Sequence, residues 1–209
     1  MVIGDGALRK TVVKVEQITP EYLICKYATV PQNQPSSNSN FVQAWQDSQV
    51  EWSNPTGGWK ANVAGTSTQG DLAVSIAYQK KDYIVGYGVG SSVQNIVATA
   101  FLPGGDMTQQ QLFSTYISVA PGQDSLLVDY VTPESCTPQT FGHWVGLFNA
   151  DDNPYADTPV AKGTLMSDKR AGSVPIIATL LAGRSYTVAY FGGKQQNCVA
   201  CTFTFATNA

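Results

Sequence analysis

The sequence contains few charged residues: Asp, Glu, Lys and Arg together make up 13% of its 209 residues, about half the share usual in globular proteins. Its formal net charge is −3, and no run of Lys or Arg exceeds two residues. A protein that binds nucleic acid or an anionic membrane through charge needs a basic patch. The composition therefore argues against both partners and predicts a neutral, polar surface.

Long apolar runs are also missing. No stretch approaches the 18 consecutive apolar residues of a membrane-spanning helix, so no membrane span is predicted. The N-terminal stretch Met1–Gly6 lacks a basic region followed by an apolar run, so no signal peptide is visible. The sequence leaves the location unknown, with the cytoplasm, export without a leader and export after loss of a leader as the alternatives.

Cysteine is too scarce for a disulfide framework, with only Cys25, Cys136, Cys198 and Cys201 present. Cys198-Val-Ala-Cys201 has the spacing of a redox or metal motif. It lies in a predicted strand, however, where positions three apart point to opposite faces. We therefore expect no disulfide and no zinc site there, and one of the two thiols in the core. Cys25 and Cys136 are also expected to be unpaired.

Histidine occurs once, as His143 at the head of a predicted strand. A histidine can act with a nucleophile, here Cys136 or Ser135, and a carboxylate. No nucleophile signature such as Gly-x-Ser-x-Gly surrounds these residues. The preferred interpretation is a polar residue at a strand edge, and the sequence predicts a protein without catalytic residues.

Two stretches of the chain are alike, Ala77–Tyr87 and Leu180–Tyr190, and the second starts 103 residues after the first. The same offset places Tyr22–Tyr27 over Ser125–Tyr130. Both of these segments alternate apolar and polar residues, as a strand with one buried face does. The sequence therefore indicates an internal repeat.

The repeat extends over most of the chain. Asn40–Asp47 falls on His143–Ala150, and Asn95–Phe101 meets Asn197–Phe203 at an offset of 102, which predicts a one-residue deletion in the preceding hairpin. A repeat of about 100 residues is a whole domain rather than a solenoid unit. We predict a tandem duplication with its boundary at Leu102–Asp106. The predicted domains are 1–104 and 105–209.

The connections between the predicted strands are rich in Pro, Gly, Asn and Ser, and no crossover helices separate them. Strands linked in this way form antiparallel sandwiches. The only helical period is a short one over 107–113. The predicted fold class is all-β, with two tandem antiparallel β-sandwiches related by internal duplication. The predicted strands of the first copy lie near 11–17, 21–28, 40–47, 70–78, 82–89 and 95–102.

The run Leu180–Val188 resembles the turn between strands E and F of fibronectin type III and related immunoglobulin-like domains. These domains carry a Leu, a Gly and a Tyr at the spacing of Leu180, Gly183 and Tyr186. The resemblance implies an immunoglobulin-like sandwich with a tyrosine corner, in which the ring packs on the core and the hydroxyl bonds upstream backbone.

The first copy departs from this pattern: Tyr83 is present, but Ala77 and Lys80 stand in place of the Leu and the Gly. Separately, Trp144–Phe148 is similar to the third strand of SKICH-type sandwiches, with His143 where those domains usually carry an Asp. Both resemblances concern architecture, because sandwiches of this kind host unrelated functions.

The segment Asn149–Asp157 holds the densest cluster of oxygen ligands in the chain. Calcium takes six to eight oxygens, often several from one loop. The segment lacks the alternate ligands, central Gly and closing Glu of an EF-hand, and Asp, Asn and Pro are also ordinary turn residues. Calcium is thus the one cofactor considered. Its candidate ligands are Asp151, Asp152, Asn153 and Asp157.

Aromatic residues lie beside amide side chains in two connections that the repeat aligns. Trp52 aligns with Tyr155, after the third strand of each copy, whereas Trp45 is predicted to be core. A ring beside Asn, Gln and Asp suits an uncharged polar ligand such as a sugar, although a loop Trp also serves as a lid over its own core. The predicted ligand-binding residues are Trp52, Trp59, Gln49, Asn54, Tyr155, Asp152 and Asn153.

These observations predict a non-enzymatic protein that recognises glycans or a cell-surface partner. The equivalent sites would be the connections 46–62 and 149–160 at the sandwich ends. The alternative is a structural or assembly subunit, such as a component of a secreted toxin or a surface layer. Such a subunit would self-associate as a homo-oligomer through neutral strand edges. An enzyme of unknown class is the third alternative.

Overall fold

The computed structural model describes residues 6–121 and 125–208. Of the N-terminal stretch 1–6, in which no signal peptide is visible, only Gly6 belongs to the described residues. In the described part of the chain no helix is long and apolar enough to cross a membrane. Among these residues the helical segments are α1 (Pro138–Phe141) and 3₁₀ turns at Val93–Asn95, Pro103–Gly105 and Met107–Gln109. The short helix predicted over 107–113 is thus a 3₁₀ turn followed by a strand.

The fold is all-β, as predicted. The strands of the first half are β1 (Ala7–Lys10), β2 (Val12–Ile18), β3 (Tyr22–Ala28), β4 (Phe41–Trp45), β5 (Trp59–Asn62), β6 (Gln69–Ser75), β7 (Tyr83–Gly88) and β8 (Ile96–Leu102). Those of the second half are β9 (Gln111–Ser114), β10 (Tyr116–Pro121), β11 (Ser125–Val131), β12 (Trp144–Asn149), β13 (Ala161–Thr164), β14 (Ala171–Ile177), β15 (Ser185–Phe191) and β16 (Val199–Ala206).

The strands form four antiparallel sheets, which confirms the predicted sandwich architecture. Two sheets have three strands, in the orders β2-β3-β6 and β10-β11-β14, and two have five, in the orders β5-β4-β7-β8-β9 and β1-β16-β15-β12-β13. Each three-stranded sheet packs on a five-stranded one, and the buried side chains between them belong to one continuous cluster.

The three-stranded sheets show the alternation on which the strand predictions rest. In β3, Leu23, Cys25 and Tyr27 are buried while Tyr22 and Lys26 are exposed. The central strands of the five-stranded sheets differ, because every residue of β4 and of β7 is buried. Their inner faces pack on the opposite sheet, and their outer faces are covered by loops that carry aromatic side chains.

The first strand of the chain completes the sheet of the other half. β1 pairs with β16, and β9 pairs with β8. The chain leaves β1 and enters β2 through Thr11, whose N–H bonds to Ala200 O, and it passes from β9 to β10 through Thr115, whose N–H bonds to Val97 O. The predicted boundary between 104 and 105 falls between β8 and β9, two strands that pair with each other, so the division into 1–104 and 105–209 remains a prediction.

The pairing registers repeat along the chain. Tyr87 lies opposite Ala98 in β8, and Tyr190 lies opposite Cys201 in β16. Both pairs keep the offset of 103, so the one-residue difference predicted for this hairpin is not there. A one-residue difference lies instead between β4 and β5 in the first half and between β12 and β13 in the second. Common ancestry of the two halves remains a prediction, whereas the matching registers are an observation.

Both tyrosine corners are present, which confirms this expectation. The Tyr83 hydroxyl accepts a hydrogen bond from Gln79 N at 2.9 Å, and the Tyr186 hydroxyl accepts one from Leu181 N at 3.0 Å. Both rings are buried. The first corner forms although its turn lacks the Leu and the Gly of the resemblance, because the tyrosine hydroxyl needs only an upstream N–H within reach.

Candidate functional site

The structure places Gln49 and Trp52 against the second half of the chain. The Trp52 indole N–H donates to Glu134 O at 3.1 Å, and its ring centroid lies 5.5 Å from that of Phe141. Gln49 Oε1 accepts from the Ser135 hydroxyl at 3.1 Å. Trp52 is half-buried and packs on the apolar outer face of its own five-stranded sheet. This arrangement fits the lid alternative, because the polar atom of Trp52 is already engaged.

Tyr155, the aligned residue of the second half, lies at a matching place. It packs on the outer face of the other five-stranded sheet, in a cluster that includes Val30 from the first half. Tyr155 and Asp152 line a cleft of about 220 Å³ together with Arg9 of β1 and Gln32. Burial raises the pKa of the Tyr155 hydroxyl well above its usual value. The two aligned aromatics therefore hold the halves together rather than projecting beyond the sandwich ends.

The remaining predicted ligand-binding residues are dispersed. Trp59 packs on the core, with its ring centroid 6.3 Å from that of Tyr83. The Asn54 amide donates to Glu51 Oε2 at 3.0 Å, and Asn153 Oδ1 accepts from Tyr155 N at 3.0 Å. Each of these side chains thus serves its own loop or core. The described residues bring no single site together from the predicted set.

Three of the four predicted calcium ligands are occupied by hydrogen bonds within their turn. Asp152 Oδ2 accepts from Asn149 N at 2.9 Å, and Asp157 Oδ2 accepts from Asn153 N at 2.6 Å. Asp151 is exposed. Within residues 6–121 and 125–208, no group of three or more His, Cys, Asp or Glu is placed to hold a metal ion. These contacts fit the turn-forming alternative, and calcium binding remains a prediction.

His143 is a core residue with 1% of its surface exposed. Its Nδ1 lies 2.9 Å from the Tyr190 hydroxyl, and its Nε2 lies 3.5 Å from Gln94 O. Burial lowers the pKa of His143 to about 4 and raises the pKa of the Cys136 thiol to about 12. Ser135, the other nucleophile considered, donates to Gln49. A neutral thiol is a poor nucleophile, so this neighbourhood does not favour catalysis.

All four cysteines are buried and unpaired. Cys201 lies in β16, opposite Tyr190, while Cys198 precedes the strand and donates weakly to Asn197 Oδ1. Burial raises the pKa of the Cys25 thiol to about 12 and that of Cys198 to about 11. These thiols behave as small apolar core groups.

Two cavities occupy matching places on the two halves. The cavity that we call the Trp144 pocket has a volume of about 500 Å³, and its lining includes Gln139, Gly142, Trp144, Lys162, Thr164 and Lys194. The cavity that we call the Phe41 pocket has a volume of about 310 Å³, is lined by Ser36, Ser39, Asn40, Lys60, Asn62 and Ser91, and takes its name from the ring under Lys60.

The strand registers show that Lys60 and Lys162 are equivalent. Lys60 lies opposite Gln43 in β4, and Lys162 lies opposite Gly146 in β12, a residue 103 positions after Gln43. The lysines themselves are 102 positions apart, so the one-residue difference between the halves lies in the connection before β5 and β13. Asn62 and Thr164, two residues further on, are equivalent in the same way.

Each lysine lies over an aromatic ring. Lys162 Nζ is 4.7 Å from the ring centroid of Trp144, and this indole stacks on Phe191 with centroids 3.7 Å apart. Lys60 Nζ is 3.8 Å from the ring centroid of Phe41. Cation–π attraction of this kind holds an ammonium group at a defined place. The rings therefore hold Lys162 and Lys60 in the linings of the two pockets.

The two pockets differ in what their lysines bind. Lys60 Nζ donates to Ser91 O at 2.8 Å, and burial lowers its pKa. In the Trp144 pocket a second lysine, Lys194, stands 103 positions after Ser91. Among the described residues, neither Lys162 nor Lys194 donates a hydrogen bond to a protein acceptor. The Trp144 pocket therefore has two ammonium groups without a protein acceptor among the described residues. The Phe41 pocket has one ammonium group, and it is hydrogen-bonded to Ser91 O.

The side chain of Lys194 reaches the Trp144 pocket by passing close to Gly142. Gly142 has φ 74°, and a Cβ at this position would lie 2.4 Å from Lys194 Cγ. Only glycine both adopts this conformation readily and leaves room for the lysine stem. Sequence reasoning missed this site, because its two lysines are 32 positions apart and only the sheet topology brings them to one cavity.

Comparison of the chain with protein-family models gives no match, and comparison with curated proteins gives none either.

Proposed function

We propose that this protein is a non-enzymatic binding protein that recognises glycans through the Trp144 pocket. Its volume of about 500 Å³ lies within the range of small-ligand sites. Thr164 and Gln139 are exposed at its wall, and hydroxyl and amide groups pair readily with sugar hydroxyls. If the glycan is carried on a cell surface, the protein binds that cell through the glycan.

The observation that carries this proposal is the repetition of one pocket design. Both halves place a lysine over an aromatic ring beside a cavity formed by the same elements. Packing alone does not require an exposed ammonium above a ring at the same register position in both halves. A shared binding role, retained more fully in the second half, accounts for this design.

A glycan array tests the proposal, with a pocket-filling variant and a matched control. We expect Thr164→Trp to abolish binding, because the indole would occupy the Trp144 pocket. The control Asn62→Trp places the same side chain at the equivalent position of the other half and should leave binding intact. Silence of the unmodified protein on the array, or equal binding by both variants, would overturn the proposal.

Self-association is the second candidate function, and one surface favours it. Leu127 and Ile177 are 41% and 80% exposed on the outer face of β11 and β14, and exposed Pro175 lies opposite Leu127. Edge strand β14 thus carries apolar side chains that a second copy would cover. Concentration-dependent mass in light scattering, lost in Ile177→Lys, would support assembly, whereas a constant monomer mass excludes it.

A further inference from the structure

We infer that the ligand of the Trp144 pocket is acidic, a saccharide that bears a carboxylate or a sulfate group. This inference rests on the proposed function and specifies its ligand class. It follows from the charges that line the cavity, from the state of the nearby carboxylates and from the comparison with the Phe41 pocket.

The charged side chains that line the Trp144 pocket are cationic. Lys162 and Lys194 are both exposed at its wall, and no carboxylate is part of the lining formed by the described residues. His143, the third titratable lining residue, has its pKa lowered to about 4 by burial, so it is neutral at pH 7. Two unneutralised ammonium groups in one concavity favour an anion.

Two carboxylates in loops next to the lining residues do not cancel this charge through direct pairing. Asp168 accepts hydrogen bonds from the main-chain N and the hydroxyl of Thr140, both at 2.8 Å. Asp157 accepts from Asn153 N at 2.6 Å. Each carboxylate is thus bound to its own loop, and within residues 6–121 and 125–208 neither lysine forms an ion pair. The positive pocket stands out on a chain whose net charge is −3.

In the Phe41 pocket the equivalent lysine, Lys60, already has a hydrogen-bond acceptor in the protein. There Lys60 is tied to Ser91 O, and serine stands in place of the second lysine. In the Trp144 pocket the described residues give Lys162 no main-chain acceptor, and Lys194 stands where the Phe41 pocket has Ser91. These two differences act in the same direction, toward an anion-binding site in the second half only.

The groups around the lysines favour a saccharide over a simple anion. Gln139 and Thr164, which carry an amide and a hydroxyl group, are exposed residues of the same lining as the two lysines, and the cavity is far larger than one carboxylate or sulfate. Sugar hydroxyls would pair with the amide and the hydroxyl while the acidic group binds between the lysines. A lysine ammonium group binds either a carboxylate or a sulfate, since it acts as a point charge.

The test compares matched pairs of glycans that differ only by one acidic group. One set of pairs differs by a uronic carboxylate and the other by a sulfate, which separates the two sources of charge. We expect the acidic member of at least one set to bind about tenfold more tightly at 50 mM NaCl, and this preference to shrink at 500 mM.

Three variants provide the controls. Lys162→Gln and Lys194→Gln should each remove most of the preference for the acidic member, and Lys60→Gln should leave it unchanged because Lys60 serves the other pocket. Equal binding of the acidic and neutral members by the unmodified protein would overturn the acidic specificity. So would a lysine variant that weakens binding of both members equally. Neither result would contradict the proposal that the protein binds glycans. Absence of any glycan binding would overturn the proposed function and this inference together.

Discussion

Trp52 donates its indole N–H to the main-chain carbonyl of Glu134, a residue 82 positions away in the other half of the chain. Tyr155, in the second half, packs against a buried cluster that includes Val30 from the first half. The halves therefore contact each other twice through aromatic side chains at aligned positions. Because each ring also covers the outer face of its own sheet, loss of either ring should affect the fold before it affects a ligand.

Replacement of Trp52 tests this role. Trp52→Ala should lower the free energy of unfolding by ~2–4 kcal/mol, since a half-buried indole leaves an apolar face uncovered. Trp52→Phe keeps a ring and removes only the N–H, so it should cost about 1 kcal/mol. Urea unfolding measures both changes. A change below about 0.5 kcal/mol in Trp52→Ala would instead place the ring in solution, as a ligand-facing role requires.

The features predicted from the sequence are those that local patterns encode. The alternation in β3 and the Tyr186 corner each depend on residues within one strand or one turn, so the residues themselves indicate them. β4 shows no alternation because all five of its residues are buried, and it is placed only by the repeat. β1 and β5 were missed, because four-residue strands are too short to show a period and β1 is exposed throughout.

The candidate site was less predictable than the fold. Trp144 is visible in the sequence as a strand residue, but nothing local links it to Lys162, 18 positions later, or to Lys194. Pairing of β12 with β13 brings Lys162 to Trp144, and the glycine at position 142 admits Lys194. The ligand-site prediction rested on aromatic residues that lie near amide side chains in the sequence, and it therefore included Trp52. In the structure Trp52 packs against its own sheet and the other half.

His143 should make stability depend on pH. Burial lowers its pKa from 6.5 to about 4, so between these values the unfolded chain binds a proton that the folded protein does not. The contribution of His143 to the free energy of unfolding is therefore complete above pH 6.5 and falls by about 3 kcal/mol as the pH drops to 4. Urea unfolding at pH 7, 5.5 and 4 measures this change.

His143→Asn provides the matched control, because Asn40 occupies the aligned position and accepts a hydrogen bond from Tyr87 at 3.1 Å. The variant retains every carboxylate, so the difference between variant and parent isolates the histidine. Identical pH profiles for the two proteins would show that the imidazole is protonated alike in the folded and unfolded states.

The tyrosine corners can be compared through their hydroxyls. Tyr186→Phe leaves Leu181 N without its acceptor, and Tyr83→Phe does the same to Gln79 N. Each change should lower the free energy of unfolding by about 1–2 kcal/mol. Their effects should add in the double variant, since the corners belong to different halves. A double variant as stable as the parent would show that solvent replaces both bonds without cost.

Removal of residues 1–10 should destabilise the second half and free its sheet edge. β1 pairs with β16 over four residues, and all its side chains are exposed, so its contribution comes from main-chain hydrogen bonds of about 1 kcal/mol each. We expect a loss of ~2–4 kcal/mol in urea unfolding. The uncovered edge of β16 should also promote association at high concentration, seen by light scattering. Removal of residues 1–5 alone keeps β1 and serves as the control. A chain without residues 1–10 that unfolds at the parent's urea concentration and stays monomeric would show that β1 is dispensable to the sheet it joins.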